Sequence, residues 1–256
     1  MAILHYQQQG QGAHLLLIHG LLGSLENLNM VAKPLSEHYT VTNVDVRNHG
    51  SSPQINNMEY DSLATDIIDT MDALNIETAS ILGHSMGGKI AMQVALEYPR
   101  RVNKLIVADI APTAYPPHHE QIFAGLNAID LHSIESRKDA DVTLSHYVEQ
   151  AGVRQFLLRN LTKHNEQFHF KCNLAFLTHC YPQIMAAYQG ERRFSRPTLF
   201  IKGSESNYIT HQHRDRINQL FPSASAKIIQ GAGHWLHAEK TVAFNKIVGD
   251  FLQKIH

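Results

Sequence analysis

Three side chains that can cooperate in acyl transfer, a serine, a carboxylate and a histidine, each stand just beyond a short apolar run. Ser85 lies in Gly83-His84-Ser85-Met86-Gly87, between the run Ser80-Ile-Leu82 and a helical pattern that stops at Pro99. A G-x-S-x-G set on a strand-turn-helix holds its serine on a turn with no room for side chains two positions before and after. Gly83 and Gly87 meet that demand, and Gly88 lets the helix lie close to the sheet. The hydroxyl then projects from a strained turn above a helix N-terminus. Chance alone produces the pattern in about one chain in ten of this length, so the context has to decide. Leu82 closes an apolar strand, and Ile90, Ala91, Val94, Ala95 and Tyr98 recur at helical spacing.

A serine hydroxyl is a poor nucleophile near neutral pH. A histidine within hydrogen-bond reach takes its proton, and a carboxylate on the other ring nitrogen fixes the tautomer and stabilises the imidazolium. His234 sits in Gln230-Gly-Ala-Gly-His-Trp-Leu-His237, directly after the last strand pattern. Its neighbours Gly233 and Trp235 suggest a mobile backbone carrying one fixed imidazole; His237 is the weaker candidate. Asp109 ends the apolar run Lys104 to Ala108, at the strand end where ligands bind in open parallel sheets. The order serine, acid, histidine follows. The alternative role for Asp109 is that of a loop carboxylate capping the turn that follows it.

An oxyanion needs donors too. The run Leu15 to Ile18 stops at His19-Gly-Leu-Leu-Gly-Ser24, and glycines in such a loop let backbone approach a substrate closely. The expected donors are the N–H groups of Leu21 and of Met86, the residue after the serine.

These residues need a sheet to hold them. Strand patterns fall at 15–18, 39–46, 80–82, 104–108, 198–201 and 226–229, the apolar runs at 15–18 and 104–108 reading as parallel strands covered on both faces, with an edge strand at 2–6. Helical patterns fall at 27–35, 60–75, 86–98 and 239–254, the last directing Val242, Ile247, Val248, Phe251 and Leu252 onto the sheet. From Thr113 to Gly190 the strand runs give way to helical patterns, apart from a brief extended piece at Phe168-His-Phe170. The expected architecture is α/β: residues 1–112 and 191–256 form the core, and residues 113–190 form a helical cap. Phe123, Leu126, Phe156 and Phe176 are its candidate acyl-pocket residues. The polar loop Asp45-Val-Arg-Asn-His-Gly-Ser-Ser-Pro53 reads as structural.

Composition narrows the function. A net charge of -1 and two short, isolated arginine pairs leave no nucleic-acid footprint. No apolar run approaches the roughly 18 residues of a membrane span, and the N-terminus does not read as a signal peptide. Cys172 and Cys180 are too few for a disulfide scaffold and suit a reducing cytoplasm. Eighteen histidines are many, yet none has usual zinc spacing, so no metal or cofactor is expected. Spread so widely, most read as surface or polar-network residues that charge below about pH 6. Oligomeric state leaves no signal.

His19-Gly-Leu-Leu-Gly, Asp45-Val-Arg-Asn-His-Gly, Gly83-His-Ser-Met-Gly-Gly-Lys, Asp109-Ile-Ala-Pro112 and Gly231-Ala-Gly-His-Trp together resemble the α/β-hydrolase superfamily, and within it the YbfF-type bacterial esterases. That resemblance spans nearly the whole chain. It implies a helical cap, no cofactor, and action on small-molecule acyl esters, acyl-coenzyme A thioesters included. The commoner pattern of the superfamily places the acid three residues beyond a glycine, where this chain has Ser206 in Lys202-Gly-Ser-Glu-Ser-Asn207. Glu205 is adjacent, but one step along an extended segment turns a side chain to the opposite side. Asp109 is therefore the expected acid, with Ser206 hydrogen-bonding the Asp–His pair. Two other classes stay open: a C–C bond hydrolase on the same fold, and a low-turnover scaffold.

Overall fold

The computed structural model describes residues 2–254. Its strands are β1 (Tyr6–Gln9), β2 (Ala13–Ile18), β3 (Tyr39–Val44), β4 (Ala79–His84), β5 (Val102–Ala108), β6 (Leu161–His164), β7 (Gln167–Phe170), β8 (Thr198–Gly203) and β9 (Ala224–Ile229). Seven of them form one sheet in the order β1-β3-β2-β4-β5-β8-β9. Among the described residues of this sheet only β1 is antiparallel to its neighbour.

Helices α1 (Asn29–Leu35), α2 (Tyr60–Ala73) and α3 (Met86–Glu97) fall between the early strands. The stretch from β5 to β8 contributes α4 (Glu120–Asn127), α5 (Arg137–Ser145), α6 (Ala151–Leu157), α7 (Leu174–His179) and α8 (Tyr181–Met185). The chain closes with α9 (Arg214–Leu220), α10 (Leu236–Glu239) and α11 (Thr241–Gln253).

The alternation of each strand assigns its residues to opposite faces. Leu16, Ile18, Ile81, Leu105 and Val107 pack with Leu63, Ile67 and Met71 of α2 and Ile90 and Val94 of α3. Leu15, Leu17, Leu82, Ile106 and Ala108 pack on the other side, with Val31 of α1 and Phe244, Val248 and Phe251 of α11. Central strands buried on both faces are why the sequence shows continuous apolar runs there.

Four details differ from the sequence reading. The edge strand is Tyr6–Gln9 rather than residues 2–6, and all four of its residues are exposed. Glutamines carry no apolar alternation, so pairing with β3 decides its position. Val242 is 85% exposed, and α11 buries Phe244 instead. Within 113–190 the extended piece expected at 168–170 is β7, but it is joined by an unexpected strand, β6, in an antiparallel hairpin. Its two turn residues, Asn165 and Glu166, both have positive φ, the geometry of a tight hairpin turn. Finally, several histidines are buried rather than exposed, among them His19, His49, His84 and His237.

Candidate active site

β4 ends at His84, and the chain turns through Ser85 at φ 54° and ψ -121° before entering α3. The turn closes because glycine stands on both sides. A Cβ on Gly83 would collide with the carbonyl of Gly87, and one on Gly87 with the carbonyls at the end of β2. Gly88 packs where a Cβ would meet Ile110 Cγ2 at 2.6 Å. A non-glycine residue held at positive φ is costly and persists only where its surroundings enforce it. Here the Ser85 N–H donates to the Ala108 carbonyl at 3.0 Å, which ties the turn to the end of β5.

Two further strand ends converge on Ser85. Asp109 follows β5, also at positive φ, fully buried. His234 follows β9 on the loop before α10. His234 Nε2 lies 2.9 Å from Ser85 Oγ, and His234 Nδ1 lies 2.8 Å from Asp109 Oδ2. The Ser206 hydroxyl donates to the same Oδ2, and the Gly203 N–H donates to Oδ1 at 3.2 Å. So the geometry brings together Ser85, His234, Asp109 and Ser206. Glu205 is exposed and outside this network. His237 is buried beside His84, with ring centroids 4.4 Å apart.

The His234 backbone is held rather than mobile. His84 Nε2–H donates to the His234 carbonyl at 2.8 Å. The Glu239 carboxylate accepts from the Gly233 N–H at 2.6 Å and the Trp235 N–H at 3.2 Å. Tyr208 lies flat on the His234 ring, centroids 3.9 Å apart at 19°. Its hydroxyl reaches His118 Nε2 at 2.5 Å.

Leu21 and Met86 border a small cavity with Ser85. Met86 is the first residue of α3, and the first N–H groups of a helix have no acceptor within it. The Leu21 loop is positioned by its neighbour Leu22, at φ 57°. The Leu22 N–H donates to His49 Nε2 at 3.2 Å, and its carbonyl accepts from the Asn160 amide of the stretch after β5. His19 Nδ1–H donates to the Gly20 carbonyl at 2.7 Å, and its Nε2 accepts from the Val46 N–H at 3.0 Å. Burial lowers the pKa of His19 and takes that of His49 down to about 3, so both act as neutral brackets. Asp45 accepts from the Leu25 and Ser51 N–H groups, and Arg47 pairs with Asp66 at 2.5 Å. These contacts match the structural role read for the 45–53 loop.

The four apolar candidates from residues 113–190 do not border this cavity. Phe123 and Leu126 are buried in helix packing, Phe123 edge-on to Tyr181, and Phe156 meets Trp235. Tyr60, Lys89, Tyr115, His119, Ile184, Met185 and Tyr208 take their place. Of these, Lys89 left a trace in the sequence: it closes the stretch Gly83-His-Ser-Met-Gly-Gly-Lys89, in the first turn of α3.

A mostly parallel sheet with a serine elbow at β4 and its partners after β5 and β9 defines a hydrolase class, and the comparisons agree. The family described as alpha/beta hydrolase fold matches residues 13–129. Esterase YbfF of Escherichia coli (strain K12) is 38% identical over 96% of this chain and 95% of its own length. The sn-1-specific diacylglycerol lipase ABHD11 of Mus musculus is 37% identical over 93% of this chain and 80% of its own. A solved structure described as a marine microorganism esterase superposes with a TM-score of 0.95 at 36% identity, covering 98% of this chain and 100% of that one. The chain belongs to the α/β-hydrolase fold family.

Proposed function

We propose that this protein is a carboxylic-ester hydrolase in which Ser85 is the nucleophile, His234 the general base and Asp109 the acid partner. The observation that carries this reading is the unbroken path Ser85–His234–Asp109, at 2.9 and 2.8 Å. Ser85 Oγ attacks the acyl carbonyl as its proton passes to His234 Nε2. The carbonyl oxygen, now anionic, accepts from the N–H groups of Leu21 and Met86. His234 then gives its proton to the leaving oxygen, and the acyl group stays on Ser85. Water repeats the sequence: it attacks the acyl carbonyl, yields its proton to His234, and Ser85 recovers that proton as the acid departs. Asp109 holds the Nδ1–H tautomer and stabilises the imidazolium. Ser206 and the Gly203 N–H donate to the buried carboxylate and so stabilise its charge.

Support for the ester class comes from relatives whose names are esterase and lipase. A thioester would follow the same steps, with sulfur leaving in place of oxygen. We assign residues 113–190 the role of a substrate-selecting cap. The two thiols, free and buried, suit a reducing cytoplasm. Turnover of a chromogenic acyl ester, together with labelling by a fluorophosphonate, tests the reading. Modification of any residue other than Ser85 would sink it.

A further inference from the structure

Three cavities stand in a row between Ser85 and the protein surface. The inner one, about 20 Å³, is bounded by Ser85, Ile184 and Met185. A middle one of about 10 Å³ follows, with Ala186 and Tyr188 in its wall. Tyr60 and Lys89 line both. The outermost is an open groove of about 950 Å³ that shares Tyr60, Gln93, Ala186 and Tyr188 with the middle one. Each inner space holds about one water molecule. A long acyl chain has no room beside Ser85 while residues 184–186 stay where they are.

Those residues are tied down by the two side chains that separate the cavities. The Tyr60 hydroxyl donates to the Ile184 carbonyl at 2.7 Å. Lys89 Nζ donates to the carbonyls of Met185 at 3.2 Å and Ala186 at 2.6 Å. Lys89 is buried on a mostly apolar helix, and no carboxylate pairs with it among the described residues. Its nearest rings are Tyr115 at 5.0 Å and Tyr60 at 5.7 Å. Burying an ammonium against carbonyls alone is costly, and burial brings its pKa down to about 7. Packing would be served better by an apolar side chain, so the donor itself has to matter.

We propose that Lys89 and Tyr60 form a latch across an acyl-chain channel, and that release of residues 184–186 joins the Ser85 cavity to the outer groove, which then receives the far end of a long acyl chain. This rests on the acyl-ester reading of Ser85. The groove's charge argues for the acyl portion over an anionic leaving group. It carries Glu59, Asp61 and Glu97 against the one arginine Arg192, and Arg192 is already paired with Glu97 at 2.7 Å.

Lys89→Met keeps a similar stem and removes the donor. Tyr60→Phe removes one hydroxyl and keeps the ring. Both are compared with the unaltered protein on p-nitrophenyl acetate and p-nitrophenyl laurate, and by amide hydrogen exchange. In each variant the laurate-to-acetate ratio of kcat/KM should rise about tenfold, the worth of one strong hydrogen bond. Exchange should quicken over residues 184–190 and not in β4 or β5. An unchanged ratio in two folded variants overturns the channel, even if exchange quickens, because the tie would then not select chains. Unchanged exchange overturns the latch. Failure of the unaltered protein to turn over either ester would instead count against the ester reading, with exchange still reporting on the latch.

Discussion

Ser206 and His234 hydrogen-bond the same oxygen of Asp109, the Oδ2. In the proposed mechanism the hydroxyl therefore shares the negative charge that steadies the imidazolium, and it helps to fix the carboxylate in place. Removing the charge should cost most. We expect Asp109→Asn to lower kcat by about 10⁴, while Ser206→Ala loses about tenfold, the value of one hydrogen bond to a charged group. Glu205→Gln should stay near the unaltered rate. Steady-state kinetics on one ester decides it: collapse in Glu205→Gln with activity kept in Asp109→Asn would reverse the assignment.

On the proposed mechanism Ser85 and His234, 2.9 Å apart, act as one unit. Ser85→Ala and His234→Ala should each lower kcat by up to about 10⁶, and the double variant should be hardly worse than either. Multiplying losses in the double variant would show that the two residues work independently.

Phe123 is buried within the packing of the inserted helices, 4% exposed and edge-on to Tyr181. Phe123→Ala should cost about 3–5 kcal/mol of stability without reordering preference among acyl chain lengths. Urea unfolding and a chain-length series measure the two effects separately. A shifted chain-length profile at unchanged stability would return Phe123 to the substrate pocket.

Burial lowers the pKa values of His19 and His84 and takes those of His49 and His237 to about 3. Such groups gain their protons only on unfolding. The stability they permit is intact above about pH 6.5, the ordinary histidine value, and is lost progressively as pH falls below it, for His49 and His237 down to about pH 3. Denaturant midpoints at pH 7, 6 and 5 should therefore fall steeply. A flat series would mean that the folded protein accepts those protons.

The residues legible in the sequence share one property: each is marked by its own stretch of chain. Ser85 stands between two required glycines, while Asp109 and His234 each follow a strand run, and the sheet was readable because its central strands are apolar on both faces. Tyr208, Glu239 and His84 were missed because their roles arise from contacts across the fold, such as a ring stacked 3.9 Å from another. Lys89 belongs to a recognisable motif, yet its contacts depend on where α8 ends. The edge strand was misplaced for the converse reason, since glutamine side chains in water leave no periodic trace.

The Asn160 amide reaches back 138 residues to bond the Leu22 carbonyl. A ribosome delivers residue 22 long before residue 160, and His234 later still. The loop beside the serine and the proton path behind it are thus both completed from the C-terminal side. A chain interrupted anywhere before β9 would carry Ser85 on its elbow without the partner that activates it. Under the proposed mechanism, hydrolysis is therefore closed to any N-terminal fragment that lacks His234.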